Sequence, residues 1–144
     1  MAIFNDVSLL HPKLAAIVPR LHQTLRAGYE AGRTQTRFEI FETFRDPVRQ
    51  RDLLIKGATK AGVFQSAHCV GLAVDFVPYI DAQQAMDLGD LTGEKVLTGW
   101  SWHSSHDYAF LKKIAESFGL DAPITWDRVH VQHPLWHQIR PYLL

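Results

Sequence analysis

Two stretches far apart in the chain carry the residue types that chemistry at a metal needs. The first is Ser66-Ala67-His68-Cys69-Val70-Gly71-Leu72-Ala73-Val74-Asp75-Phe76. A turn is expected at Gly71, followed by a short apolar strand. Alternation from Leu72 sends Leu72, Val74 and Phe76 to one face and Ala73, Asp75 and Val77 to the other. A carboxylate inside such an apolar run is costly unless it is paired or bound to a metal. His68, arriving from the preceding loop, supplies a second ligand of the kind zinc takes. The second stretch is Trp126-Asp127-Arg128-Val129-His130-Val131-Gln132. Its alternation of Val129 and Val131 with His130 and Gln132 reads as another short strand with one apolar face. His130 completes a His, Asp, His set. Three protein ligands leave the fourth position to water, as in catalytic rather than structural zinc sites. Two imidazoles and one carboxylate suit zinc, one ion per chain. Asp127, three residues before His130, is placed to touch that water without being a ligand, which suits a general base.

The pattern SxHxxGxAxD followed by DxxH resembles the zinc D-alanyl-D-alanine carboxypeptidase and dipeptidase family, to which phage L-alanyl-D-glutamate endopeptidases belong. That family shares its fold with lysostaphin-type enzymes and the hedgehog signalling domain. The resemblance extends upstream to Phe44-Arg45-Asp46-Pro47-Val48-Arg49-Gln50, which is similar to the family's arginine-containing stretch, and covers roughly residues 8 to 137. It implies an α+β fold: a small, mainly antiparallel sheet carrying His68, Asp75 and His130, with helices packed on one side. It also implies a zinc peptidase that cuts peptidoglycan stem peptides at a bond next to a D-residue. Carboxypeptidase, dipeptidase and endopeptidase members share these motifs. Local sequence alone makes Arg45 a surface cation at a strand end. The resemblance makes it a substrate-holding group, since a guanidinium grips a carboxylate or carbonyl oxygen through paired hydrogen bonds. Gln50, one helical turn on, is expected to support the same wall. Ser66 matches a family serine that bonds substrate, and a turn-stabilising role stands beside that one. The family often has a glutamate where Gln132 stands, which leaves the role of Gln132 open.

The elements that must position these residues follow from pattern and punctuation. Leu10, Leu14, Ile17, Val18, Leu21, Leu25 and Tyr29 predict a helical region over 8–31, with Pro12 in a first turn and a kink or break at Pro19. His11 and His22 read as capping or surface histidines. Residues 37–45 predict a strand. Asp46 then caps a helix that starts at Pro47, runs to about Lys56 and stops at Gly57. Residues 58–67 read as loop, and Cys69 as a small buried group rather than a ligand. Asp81 to Leu88 reads as a short helix, and Glu94 to Leu97 as an extended piece. Gly89, Gly93 and Gly99 mark turns. Trp100-Ser101-Trp102-His103-Ser104-Ser105-His106-Asp107 is a rival metal cluster. Ser104 and Asp107 also form a capping-box-like start for a helix running to Phe118. Against the stronger set, Trp102, His103 and His106 are expected to line the cleft at most. After a Pro123 loop and the second strand, Pro134 to Tyr142 predicts a final helix, with Trp136, Ile139 and Leu143 facing the core. His133 lies three residues from His130 and so on the opposite side of a strand.

Composition bounds the rest. The chain has 144 residues, 47% of them apolar and 21% charged, which predicts one globular domain over 1–144 with a modest core. The formal net charge is zero and no basic stripe exists, so nothing calls for nucleic acid. One cysteine excludes an internal disulfide. No apolar run is long enough to span a membrane. The opening residues lack a basic n-region and an apolar h-region, so no secretory signal is expected. A monomer made in the cytoplasm is expected, acting on the cell wall after phage-type release or export. A phage or prophage lysis enzyme fits this best, with a cytoplasmic recycling peptidase beside it. The competing class is a zinc-containing cell-wall-binding or phage structural module of the same fold that has lost the chemistry. An intact Asp127 argues against that reading.

Overall fold

The computed structural model describes residues 3–62, 65–88, 99–122 and 127–143. The expected extended piece at Glu94–Leu97, the turns at Gly89 and Gly93, the Pro123 loop and Trp126 lie outside them. Helix α1 (Pro12–Ala15) is capped by His11, whose Nδ1 accepts from the Lys13 amide. Helix α2 (Val18–Glu30) follows after a break at Ala16 and Ile17. Pro19 therefore stands in the first turn of a new helix, where its missing N–H costs nothing. Strand β1 (Phe38–Glu42) leads to α3 (Pro47–Ile55), which Asp46 caps by accepting from the Arg49 amide at 2.8 Å. Strand β2 (Ala73–Pro78), helix α4 (Ala82–Asp87), helix α5 (Tyr108–Ser117), strand β3 (His130–Gln132) and helix α6 (Trp136–Ile139) complete the order.

The three strands form one antiparallel sheet in the order β1-β2-β3. Helices α2 and α5 cover one face. Leu14, Val18, Leu21 and Leu25 pack there with Leu111 and Ala115 against Phe38, Val74, Phe76 and Val131. The two helices approach closely at Gly28, where an added Cβ would lie 2.5 Å from the Phe110 ring. Every residue of β2 is buried, so Asp75 sits in an apolar run covered on both faces. A smaller apolar cluster of Ala67, Leu72, Ala73 and Trp136 joins α6 to the segment that carries His68 and Asp75. Leu72 thus packs with Ala73 there, not with Val74 and Phe76, because it precedes the strand. Among the described residues, no helix is long and apolar enough to cross a membrane.

Several boundaries differ from the sequence pattern. Helix α5 begins at Tyr108, not near Ser104. Its cap is Asp107, which accepts from the Phe110 amide and also from the Thr34 hydroxyl. The final helix ends at Ile139 and tightens into a 3-10 turn at Arg140–Tyr142, since Pro141 cannot donate to a longer α-helix. Leu143 is 37% exposed and lies outside the core. His68, expected from the loop before the strand, reaches the sheet from a 3-10 turn in that segment, Ala67–Val70.

That turn ends at Gly71, in the left-handed region at φ 71°. A Cβ at this position would come within 2.6 Å of the His11 amide nitrogen. The close approach is part of the fold, because the Gly71 carbonyl accepts from that same amide at 2.9 Å. Gly71→Ala should therefore destabilise the protein by about 1–3 kcal/mol, from backbone strain alone. Urea denaturation monitored by circular dichroism measures it, and an unchanged midpoint would contradict this account.

Candidate metal centre

The sheet register builds the site. Ile40 pairs with Phe76, but the next paired residue of β1 is Glu42, which faces Asp75. Phe41 is the extra residue of a bulge. Without it, Phe41 would stand opposite Asp75 and Glu42 would point to the helix-covered face. On the other side of β2, Asp75 pairs with His130. Residues directly opposite across an antiparallel pair share a face. Glu42, Asp75 and His130 therefore form one row across the sheet, on the face away from α2 and α5.

His68 enters this row from the 3-10 turn. Ser66 caps the turn, its hydroxyl accepting from the His68 amide at 3.3 Å. The His68 backbone carbonyl accepts from the Arg45 amide at 3.0 Å. Its ring Nδ1 lies 2.8 Å from the Thr43 carbonyl oxygen. That oxygen only accepts, so Nδ1 carries the proton and Nε2 presents a lone pair. Nε2 lies 3.1 Å from Asp75 Oδ1. On His130, Nε2 is held 2.7 Å from Gln132 Oε1, which again accepts, and Nδ1 is turned toward Asp75 Oδ1 at 3.5 Å. Two imidazole lone pairs and a carboxylate oxygen thus converge with no proton of their own between them. A metal ion, or in its absence a proton on an imidazole, relieves that arrangement. Among the described residues, these three form the set whose ligand atoms all lie within 4.8 Å of one another. Each imidazole's other nitrogen is bonded to a fixed acceptor, the usual way a zinc-binding histidine is oriented. The donor set fits zinc in kind and number.

Electrostatics agree with the geometry. Burial opposes the charged form of Asp75, but the charges and hydrogen bonds of His68 and His130 overcome it and hold the carboxyl far below the usual range. Burial likewise disfavours the charged His130 ring, yet Asp75, Gln132 and Asp127 together raise it above the ordinary 6.5. Asp127 stands at the edge of the centre, its Oδ2 3.9 Å from His130 Nδ1 and its side chain 35% exposed. Burial and the Asp75 charge push its carboxyl upward, against the pull of His130, His68 and Arg45.

Arg45 is 8% exposed, so it is no surface cation. Its Nη2 donates to Glu42 Oε1 at 2.8 Å and lies 3.6 Å from Asp75 Oδ2. One guanidinium thereby keeps two facing carboxylates together. Nε also bonds Glu42, and Nη1 donates to Gln50 Oε1 at 3.1 Å. Arg49 grips Glu42 from the other side through Nε and Nη2. Gln50 is fully buried and stands behind Arg45, its amide nitrogen donating to the Ala61 carbonyl. Cys69 is buried against Gln50, away from the ligand set.

The centre opens into a cleft of about 350 Å³. Arg45, Ser66, His68, Asp127, His130 and Gln132 line it, and Trp136, His137 and Arg140 form a further wall. His103 and His106 are not among the cleft residues. His103 bonds Ser105, and His106 bonds Ser101. Trp102 lies edge-on to Phe41, with ring centroids 5.1 Å apart. His22 pairs with Glu39 at 2.8 Å, and His133 accepts from the Leu135 amide within its own turn. Two features of the site's geometry escaped the sequence reading. Gln132 orients His130, and Glu42 anchors Arg45. The signal for Glu42 was present as an acid inside an aromatic strand shortly before two arginines, but only the bulge turns it toward the site.

The fold is that of a small α+β protein with a three-stranded antiparallel sheet and a buried His, Asp, His set. Among solved structures it is similar to the L-Ala D-Glu endopeptidase ChiX of Serratia marcescens, with a TM-score of 0.54 over 99% of this chain and 95% of that one. The two are 20% identical, so the likeness is one of fold. No protein-family model and no curated protein matches the sequence.

Gln132→Ala should weaken zinc binding by roughly ten- to a hundred-fold, because His130 loses the acceptor that fixes its ring. Binding should also weaken as pH falls. A raised His130 pKa means the proton holds its nitrogen to a higher pH, and zinc must displace it. Zinc titration against a competing chelator at several pH values tests both statements. A pH-independent affinity would show that His130 is not a ligand.

Proposed function

We propose that the chain is a zinc-dependent peptidase that hydrolyses peptidoglycan stem peptides at a bond next to a D-amino acid. The observation that carries this reading is the convergence of His68, Asp75 and His130 at the floor of a cleft, with Asp127 beside them. The fold likeness to a solved L-Ala D-Glu endopeptidase supports the substrate class and favours an endopeptidase over a carboxypeptidase cut. His68, Asp75 and His130 would hold the zinc. When bound, the ion supplies a Lewis acid for the scissile carbonyl and makes water a nucleophile near neutral pH.

The chain's own groups do the remaining work. Asp127 takes the proton from the attacking water and returns it to the leaving amine. Its raised pKa brings it closer to the working pH, which improves it as a proton carrier in both directions. Arg45 presents its remaining N–H groups to the substrate carbonyl or carboxylate, with Glu42 and Gln50 fixing the plane of its fork. Ser66 lines the cleft and its hydroxyl caps the turn, and in this reading the same hydroxyl bonds substrate. Gln50 acts on substrate through Arg45. The position of Asp127 favours this reading over a binding module of the same fold. The protein is taken to work as a monomer on the cell wall, in a phage-type lysis role.

Digestion of purified peptidoglycan with mass analysis of the fragments identifies the bond, and the absence of any peptide cleavage by zinc-loaded protein would overturn the proposal. His68→Ala should lose zinc and activity together. Asp127→Ala should lose activity with zinc content near one per chain. Elemental analysis separates the two roles, and zinc loss in Asp127→Ala would make Asp127 a ligand instead.

Arg45→Lys should retain zinc and lose roughly one to two powers of ten in kcat/KM. A point charge on a flexible stem cannot bridge Glu42 and Gln50 while also gripping substrate, and a charge-assisted contact is worth about 1.5–3 kcal/mol. Cleavage of a stem peptide at equal zinc occupancy measures it. Equal rates would remove Arg45 from substrate binding.

A further inference from the structure

The wall formed by Trp136, His137 and Arg140 has no part in the chemistry described so far. It is nonetheless tied firmly to the centre. Trp136 is 5% exposed and packs with Ala67, Leu72 and Ala73, the neighbours of His68 and Asp75. His137 Nε2 lies 3.1 Å from Asp121 Oδ2. The Asp121 backbone in turn exchanges two hydrogen bonds of 2.8 Å with Gln132, two residues beyond His130. Arg140 comes four residues after Trp136, and such spacing places both on one side of a helical segment. Both line the cleft.

The two arginines of the cleft differ in what they have left to offer. Arg45 commits Nε, Nη1 and Nη2 to Glu42 and Gln50. Arg140 is exposed, and among the described residues its guanidinium makes no hydrogen bond or ion pair. Among the described residues, the loop that lines the cleft contributes the neutral Thr59, Ala61, Gln65 and Ser66. Among the described cleft residues, an anionic group on a bound peptide is repelled at Asp127 and meets a fully available planar fork at Arg140.

We propose that Arg140 is a specificity-determining residue that grips a carboxylate of the substrate other than the scissile carbonyl, so the peptide taken is anionic near the cut bond. This rests on the peptidase reading above. The probes are two short peptides with an L-alanyl-D-glutamyl bond, one with the glutamyl α-carboxylate free and one with it converted to the amide. Cleavage is followed with zinc-loaded wild type, Arg140→Gln and Arg140→Lys. Equilibrium binding of both peptides is read by tryptophan fluorescence in the Asp127→Ala background, with and without Arg140→Gln. Wild type should prefer the carboxylate peptide by roughly ten- to a hundred-fold in kcat/KM, the range of one charge-assisted contact. Arg140→Gln should bring that ratio close to one, Arg140→Lys should keep part of it, and zinc content should stay the same in all three. Cleavage with a ratio that Arg140→Gln leaves unchanged overturns the role of Arg140 and keeps the peptidase. An Arg140-dependent preference in binding, without cleavage of either peptide by wild type, keeps Arg140 and overturns the L-alanyl-D-glutamate endopeptidase reading. Neither binding nor cleavage overturns both.

Discussion

The structure depends on the burial of one carboxylate in the middle strand of a three-stranded sheet. Asp75 lies where an apolar side chain would cost least, with buried residues on either side along β2. An uncompensated charge there would carry a desolvation penalty of several kcal/mol. The neighbouring segments supply what offsets it. His68 arrives from the preceding turn, His130 from the paired strand, and Arg45 from the segment after β1. Each is fixed at its far side by a group that can only accept: the Thr43 carbonyl, the Gln132 amide oxygen and the Glu42 carboxylate. The cation-seeking geometry follows from how these partners are held.

Glu42 shows how a local irregularity serves that end. A bulge of one residue moves it from the helix-covered face to the row of Asp75 and His130. Two carboxylates directly opposite across strands would repel. Arg45 lies between them, and Arg49 completes the neutralisation of Glu42. The result is a buried ionic wall that leaves a guanidinium edge at the cleft. Its value is one of orientation more than of stability, since a buried ion pair regains little more than its own desolvation cost. The same bulge frees Phe41 to meet Trp100 and Trp102 edge-on, which gives the two tryptophans a packing role away from the metal centre.

Much of this was legible in the sequence. The spacing of His68 and Asp75 spans a tight turn and the start of one strand, so local geometry alone brings them together. DxxH places Asp127 and His130 at one strand start for the same reason. The capping of α3 by Asp46 and its stop at Gly57 are local as well, set by backbone dihedrals and side-chain oxygens within a few residues. The joining of the two halves of the ligand set is not local. Residue types alone suggested it, and the pairing of Asp75 with His130 in the sheet register makes it.

Tertiary structure alone decided which nitrogen of each histidine faces the centre, because the deciding partners, the Thr43 carbonyl and the Gln132 amide oxygen, are brought to the rings only by the closed fold. It decided that Arg45 is buried, which local sequence had as a surface cation, since its carboxylate partner reaches the site only through a bulge. It also decided that Ser104 is no helix cap, because Thr34 and Thr36, more than seventy positions away, hold Asp107 in that place. Sequence determines what short stretches of backbone can do by themselves. Register, tautomer and the pairing of buried charges depend on which distant groups share one desolvated space, and that is settled only when the chain has closed on itself.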